Sequence, residues 1–238
     1  MVVNQQLRES RLAARSALER AGTLGFKPVS SAKWVDVERK WSGKLHVRIE
    51  HDIIRHCSPE MIQWWFENLG GKTRWDGKDF EGPEISFYHL WHHRDHIAII
   101  PTERSGNGFR KGATTKLAEQ FNDFHESIDI VVTTDRLDSE EFTFTAKVFG
   151  LSVCRVIHYY SQVPGGSRFY AETVIGSDLP ILGIFLNWLI IPFIYSKSTA
   201  ENWIRHNIEE TGRSEDIIPI LFQHDSTMKA SSKLQHSQ

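Results

Sequence analysis

Cysteine is nearly absent from this chain: Cys57 and Cys154 are the only two in 238 residues. That excludes a disulfide scaffold and a cysteine-based zinc site. An excess of one charge is also missing, with 28 Lys and Arg against 30 Asp and Glu and a formal net charge of -2. No basic footprint for nucleic acid results, and no nucleic-acid partner is expected. The opening Met1-Val2-Val3-Asn4-Gln5-Gln6-Leu7-Arg8 lacks the apolar core of a signal peptide. A reduced, cytoplasmic setting is therefore the expectation. Internal repeats are absent, and long apolar runs are confined to one, Leu179 to Ser196, which holds no charged residue. Its length touches the lower limit for a membrane span. Pro180, Gly183, Asn187 and Pro192 interrupt it, and Asp178 and Lys197 bound it closely. These breaks favour a buried helix or pocket wall, with no membrane partner expected.

What is present is core material. Hydrophobic residues make up 40% of the chain, and 8 Trp and 14 Phe suffice for an aromatic pocket. Leu7, Ala14, Leu18 and Ala21 recur at helical spacing, predicting a weakly amphipathic N-terminal helix that stops at Gly22. Leu45, Val47 and Ile49 alternate as in a strand. Ser58-Pro59-Glu60 forms a helix start, and the helix from Met61 to Leu69 is stopped by Gly70-Gly71. Strand patterning then covers Ile85 to Tyr88, Ile97 to Ile100, Ile128 to Thr134, Phe142 to Phe149, Leu151 to Val163 and Arg168 to Gly176. Pro164-Gly165-Gly166-Ser167 is a hairpin signal between the last two. Helical texture returns from Thr199 to Thr211, before a polar tail expected to be disordered. The class is α+β: an antiparallel meander wrapped on a C-terminal helix, with a ligand cavity between them. The expected organisation is a helical extension over 1–40, a main α+β domain over 41–215 and a polar tail over 216–238.

Two segments carry chemistry. His206 and Glu210 stand four apart on the C-terminal helix and so share one face, where an imidazole and a carboxylate can close on one divalent ion. Glu209, three residues from His206, is the alternative carboxylate. Far upstream, Tyr88-His89-Leu90-Trp91-His92-His93-Arg94-Asp95-His96 is dense in histidine and can supply the remaining ligands. On an extended path Tyr88 and His96 have the same parity. Glu126 lies at a strand entrance, and His158 shares a strand face with Cys154, Val156 and Tyr160. A histidine there suits a hydrogen-bonded pocket position and proton transfer. A competing constellation, His93-x-Asp95 with His158, matches the two histidines and one carboxylate of a non-haem iron oxygenase.

The chain resembles the diacetylphloroglucinol hydrolase family, which includes phloretin hydrolase. The likeness is carried by Pro59-Glu60-Met61 with Trp64-Trp65, by Tyr88, Trp91-His92 and Asp95-His96, by His158-Tyr159-Tyr160 before Gly165-Gly166, and by His206-x-x-x-Glu210. It covers about residues 45–212. The resemblance implies a Bet v 1-like helix-grip fold and a zinc ion held by His96, Glu126, His206 and Glu210. It implies hydrolysis of the carbon–carbon bond between an acyl group and a phenolic ring. Tyr88 and His158 would be catalytic, and Tyr88, Tyr170 and Trp91 would contact a small aromatic or polyketide substrate. A homodimer is left open. The family reads Trp-His-Pro where this chain has Trp91-His92-His93, and a polar position after Asp95-His96 is replaced by the apolar Ile97 to Ile100. Those departures keep two other classes in play: a non-hydrolytic cyclase or isomerase of secondary metabolism, and a helix-grip ligand carrier without chemistry.

Overall fold

The computed structural model describes residues 2–121 and 125–235. Helix α1 (Val2–Arg20) leads into a 3-10 turn (Val29–Ser31) and the hairpin of β1 (Trp34–Arg39) and β2 (Leu45–Glu50). Short β3 (Ile54–Arg55), α2 (Pro59–Asn68), β4 (Lys72–Thr73), β5 (Ile85–Ser86) and α3 (Phe87–Trp91) follow. The chain then meanders through β6 (His96–Pro101), β7 (Thr114–Phe121), β8 (Glu126–Leu137), β9 (Glu141–Val148), β10 (Leu151–Val163) and β11 (Gly166–Ile175). It closes with α4 (Leu182–Ile194) and the long α5 (Lys197–Gln235).

The main sheet runs β1-β2-β11-β10-β9-β8-β7-β6, antiparallel at every pairing. The N-terminal hairpin thus joins the last strand, and β3 pairs with the start of β11. There the chains come so close that a Cβ on Gly166 would stand 2.1 Å from the Ile54 carbonyl oxygen. Along β11, Phe169 and Ala171 face the core, while Tyr170 points to the other side of the sheet. Helices α2, α3 and α5 pack together over the inner face, and α5 reaches β2 and β7.

Local chemistry explains the boundaries. Ser58 caps α2, its Oγ accepting from the Met61 amide at 3.3 Å, with Pro59 at the first helical position. Gly22, with φ of +75°, ends α1, and the Thr23 amide returns to the Leu18 carbonyl. Ala14 and Leu18 of α1 are fully buried, and Ser10 Oγ meets both the Ser86 amide and His89 Nδ1.

Three expectations change. Ile85 to Tyr88 is a two-residue strand running into α3, because the Ser86-Phe87 step already turns helical. The polar C-terminal segment does not fall away at residue 216: α5 continues to Gln235, with Ile217, Ile218 and Leu221 buried. The apolar run at 179–196 forms α4, but it is not a cavity wall. Phe185, Trp188 and Leu189 are exposed, and the cavity is lined by other residues. Among the described residues, no helix is long and apolar enough to cross a membrane.

Candidate metal centre

Strand β6 begins at His96 and pairs with β7 so that His96 lies directly opposite Glu119. Helix α5 brings His206 and Glu210 over that pair. His96 Nε2 stands 3.4 Å and His206 Nε2 3.6 Å from Glu210 Oε2. Glu119 closes the group, with Oε1 4.0 Å from His96 Nε2 and Oε2 3.9 Å from His206 Nε2. A tetrahedral site with ligand bonds of roughly 2.0–2.1 Å has edges of about 3.4 Å. His96, His206 and Glu210 are therefore spaced to hold a divalent metal ion, and all three are buried.

Surrounding groups fix which imidazole nitrogen faces inward. His96 Nδ1 donates to the Tyr88 carbonyl at 2.6 Å, which leaves the Nε2 lone pair pointing into the cluster. That Nε2 atom is buried and has no hydrogen-bond partner. His206 Nδ1 contacts Asp95 Oδ2 at 3.2 Å, turning its Nε2 toward Glu119 and Glu210. A carboxylate behind a ligating histidine is a recurrent way to set ring orientation and basicity. Glu210 is aimed by Asn207, whose Nδ2 donates to Oε1 at 3.0 Å while its Oδ1 accepts from His51 Nε2 at 3.1 Å. The Tyr88 hydroxyl donates to Glu119, and the Tyr88 ring stacks on His96 at 3.7 Å.

Electrostatics favour positive charge at the centre. Burial works against the His206 cation, but the carboxylates of Glu210, Asp95 and Glu119 outweigh it and raise the imidazole above its ordinary value. Burial also raises the Glu210 carboxyl, opposed by His206 and reinforced by Glu119. Burial and the neighbouring His206 hold His96 neutral, so its lone pair is free to bind a cation. Two imidazoles and two carboxylates converging with nitrogen–oxygen separations of 3.4 to 4.0 Å form a donor set that fits a divalent ion.

Beside this cluster lies a small cavity of about 40 Å³, lined by Tyr88, Glu119 and Glu210 together with Phe66, Phe142 and His158. His158 stacks against both Phe66 and Phe142, whose rings also meet each other at 4.3 Å; it is bonded to the Phe142 backbone and leaves Nδ1 buried without a hydrogen-bond partner. Burial holds its pKa down at about 4, so the ring is neutral at physiological pH. Trp91 also lines the cavity, anchored through Nε1 to Ser214 Oγ at 3.0 Å.

Of the residues singled out from sequence, His96, His206, Glu210, Tyr88, Trp91 and His158 gather here. Glu126 does not: its Oε1 accepts from Asn202 Nδ2 at 3.2 Å, and Glu119 takes the place beside the histidines. The two carboxylates sit on adjacent strands, and only Glu119 has an inward register opposite His96. Tyr170 is also elsewhere, against Trp34 and Tyr159 on the outer face. Glu209 is no ligand alternative; it pairs with His92 and Arg94. His93, Asp95 and His158 do not converge. His93 stacks on Phe26 and Asp95 serves His206, which removes the oxygenase constellation.

Sequence reasoning missed Glu119, Asp95 as the support of His206, and the chain from His51 through Asn207 to Glu210. One signal for Glu119 was available. Thr115, Leu117, Glu119 and Phe121 alternate along β7, and a lone acid in such an inward row is where a ligand belongs.

No protein-family model and no curated protein matches the chain. Among solved structures it is similar to protein Ms6760 from Mycobacterium smegmatis, at 12% identity over 81% of this chain and 99% of that one, with a TM-score of 0.40. It is also similar to protein NE0264 from Nitrosomonas europaea (8% identity, 70% and 94%, TM-score 0.34) and to SA2116 from Staphylococcus aureus (11%, 80% and 98%, TM-score 0.36). Likeness at this level says nothing of function.

Proposed function

We propose that the protein is a zinc-dependent hydrolase that cleaves the carbon–carbon bond between an acyl group and a phenolic ring. The observation that carries this reading is the His96 Nε2 lone pair, buried, unpartnered and converging with His206, Glu210 and Glu119. The resemblance to diacetylphloroglucinol and phloretin hydrolases supplies the reaction class. The helix-grip reading is supported by the N-terminal hairpin seated on β11 and by α5 crossing from β2 to β7.

In this reading His96, Glu119, His206 and Glu210 hold the ion. When bound it supplies Lewis-acid polarisation of the acyl carbonyl and activation of water. The rest falls to the chain. Phe66, Phe142 and Trp91 give the chamber apolar aromatic walls that keep bulk solvent from the reacting atoms. His158 Nδ1, neutral and acceptor-only, receives a phenolic hydroxyl and can move its proton. Tyr88 keeps Glu119 oriented at the mouth of the aromatic chamber. Water divides between the fragments: its hydroxyl ends on the acyl carbon and its proton on the ring carbon as the bond between them breaks.

Elemental analysis of purified protein, beside the His96→Ala variant, tests the metal. Product analysis with an acylphloroglucinol tests the reaction. Release of a free carboxylic acid is expected. Metal without acid release would leave the cyclase or isomerase class, and protein without metal would leave the ligand carrier.

A further inference from the structure

The register of the sheet puts Arg39, Leu45, Ile175 and Cys154 in one row across β1, β2, β11 and β10. Beyond that row the chain leaves the sheet at three places: the β1–β2 turn, the tip of the β9–β10 hairpin, and the loop from Gly176 into α4. Each carries a large apolar side chain into solvent. Trp41 is 80% exposed, Phe149 is fully exposed and Ile181 is 73% exposed. Helix α4 is tied to the same end, where Asn187 Nδ2 donates to the Ser42 and Ser177 carbonyls and Trp188 Nε1 to the Trp41 carbonyl at 3.0 Å.

The outward face of α4 continues the patch. Ile181 or Leu182, Phe185, then Trp188 or Leu189 recur at helical spacing and are all exposed, while Asn187 and Ile191 are buried. An ordinary surface helix reverses this arrangement. Phe149 adds a second anomaly. It has φ of +50°, a conformation that favours glycine or asparagine, so a bulky side chain is held out at a hairpin tip at some conformational cost.

We propose that this end of the molecule docks on a lipid bilayer, with the α4 stripe, Trp41 and Phe149 inserted at the level of the headgroups. A 13-residue helix is about 20 Å long, short of the roughly 30 Å of hydrocarbon, but suited to lying in the interface. Tryptophan beside cations is the pairing that interfaces select. Arg39 lies over the Trp188 ring at 5.6 Å, Lys40 and Lys44 flank Trp41 in sequence, Lys147 precedes the hairpin tip and Lys197 follows α4. Acidic residues are also present: Asp178 pairs with Lys44, Glu38 with Lys40 and Glu201 with Lys197. Arg39 and Lys147 tip the balance toward anionic headgroups. The surface is independent of the metal centre.

The test is co-sedimentation of the full chain with vesicles of phosphatidylcholine alone and of phosphatidylcholine with one fifth phosphatidylserine. Wild type should pellet with both and more strongly with the anionic vesicles. Phe185→Ser with Leu189→Ser should lower the bound fraction at least about tenfold without moving the melting transition, since both side chains are exposed. Phe149→Ser, in a separate hairpin, should weaken binding on its own and guards against a folding defect in α4. Wild type that stays in the supernatant with both vesicles overturns the proposal. So does a wild-type dimer in sedimentation velocity that the α4 double variant converts to monomer with no change in lipid binding, because a second copy would then be the occupant.

Discussion

Replacing Asp95 with Ala tests the site without touching a proposed ligand. Asp95 Oδ2 lies 3.2 Å from His206 Nδ1, and both groups are buried, so solvent cannot substitute for the lost bond. Removing it frees the His206 ring and lowers the basicity of the nitrogen facing the ion. Losses behind a ligating histidine run to about 10–100-fold in metal affinity, or about 1.4–2.7 kcal/mol. The upper half of that range is expected here, because Asp95 also faces Arg205 at 3.9 Å and accepts from Gln120 at 3.4 Å, and all of these shift together. Competition against a chelator of known zinc affinity, on wild type and D95A side by side, measures the ratio. An unchanged affinity would refute the assignment of His206 Nε2 as a ligand, because the ring could then turn freely without consequence.

Further outcomes follow from the same geometry. Glu119→Gln should lose metal in elemental analysis, whereas Glu126→Gln should retain it; the reverse result would restore the carboxylate suggested by resemblance. His51, His89 and His158 are buried with pKa values held down at about 3, 4 and 4, chiefly by burial. Because the unfolded chain takes up protons near 6.5 and the folded chain does not, stability is full above that pH. It should fall by up to about 1.4 kcal/mol per pH unit for each group between pH 6.5 and 4, as read from urea midpoints. Gly166→Ala places a methyl 2.1 Å from the Ile54 carbonyl oxygen, which sits in a paired strand and cannot step aside. A loss of more than about 2 kcal/mol in chemical denaturation is expected, with metal stoichiometry retained in the folded fraction.

The legible parts of the fold are those set by short-range pattern. The Ser58-Pro59 start of α2, Gly22 at the end of α1 and the alternation of β8 to β11 are written in single residues and period-two repeats. Their pairing order is not, since β2 joining β11 depends on contacts more than a hundred residues apart. The tail was misread because its core-facing residues, Ile217, Ile218 and Leu221, are few among polar neighbours. In the site, His206 and Glu210 were visible because a helix has a fixed spacing. Tyr88 and His96 meet as expected, but not by strand parity: a helical turn and a tight reversal bring both His92 N and His96 Nδ1 to the Tyr88 carbonyl. Glu119 was hidden because its partner lies across a strand pairing. An interval in sequence could not distinguish it from Glu126. The breaks at Pro180, Gly183, Asn187 and Pro192 argue against a membrane span, but neither they nor the run's lack of charge says which way its side chains face, and Phe185, Trp188 and Leu189 face outward.

The aromatic chamber has one more consequence. Its roughly 40 Å³ holds about one water molecule, while pockets for ligands of drug size span about 300–1,000 Å³. Under the proposed function, admission of a phenolic guest therefore requires side chains such as Phe66 and Phe142 to swing aside. Capture would then be gated by how often those walls breathe, and turnover should respond to mutations that loosen packing far from the reacting atoms.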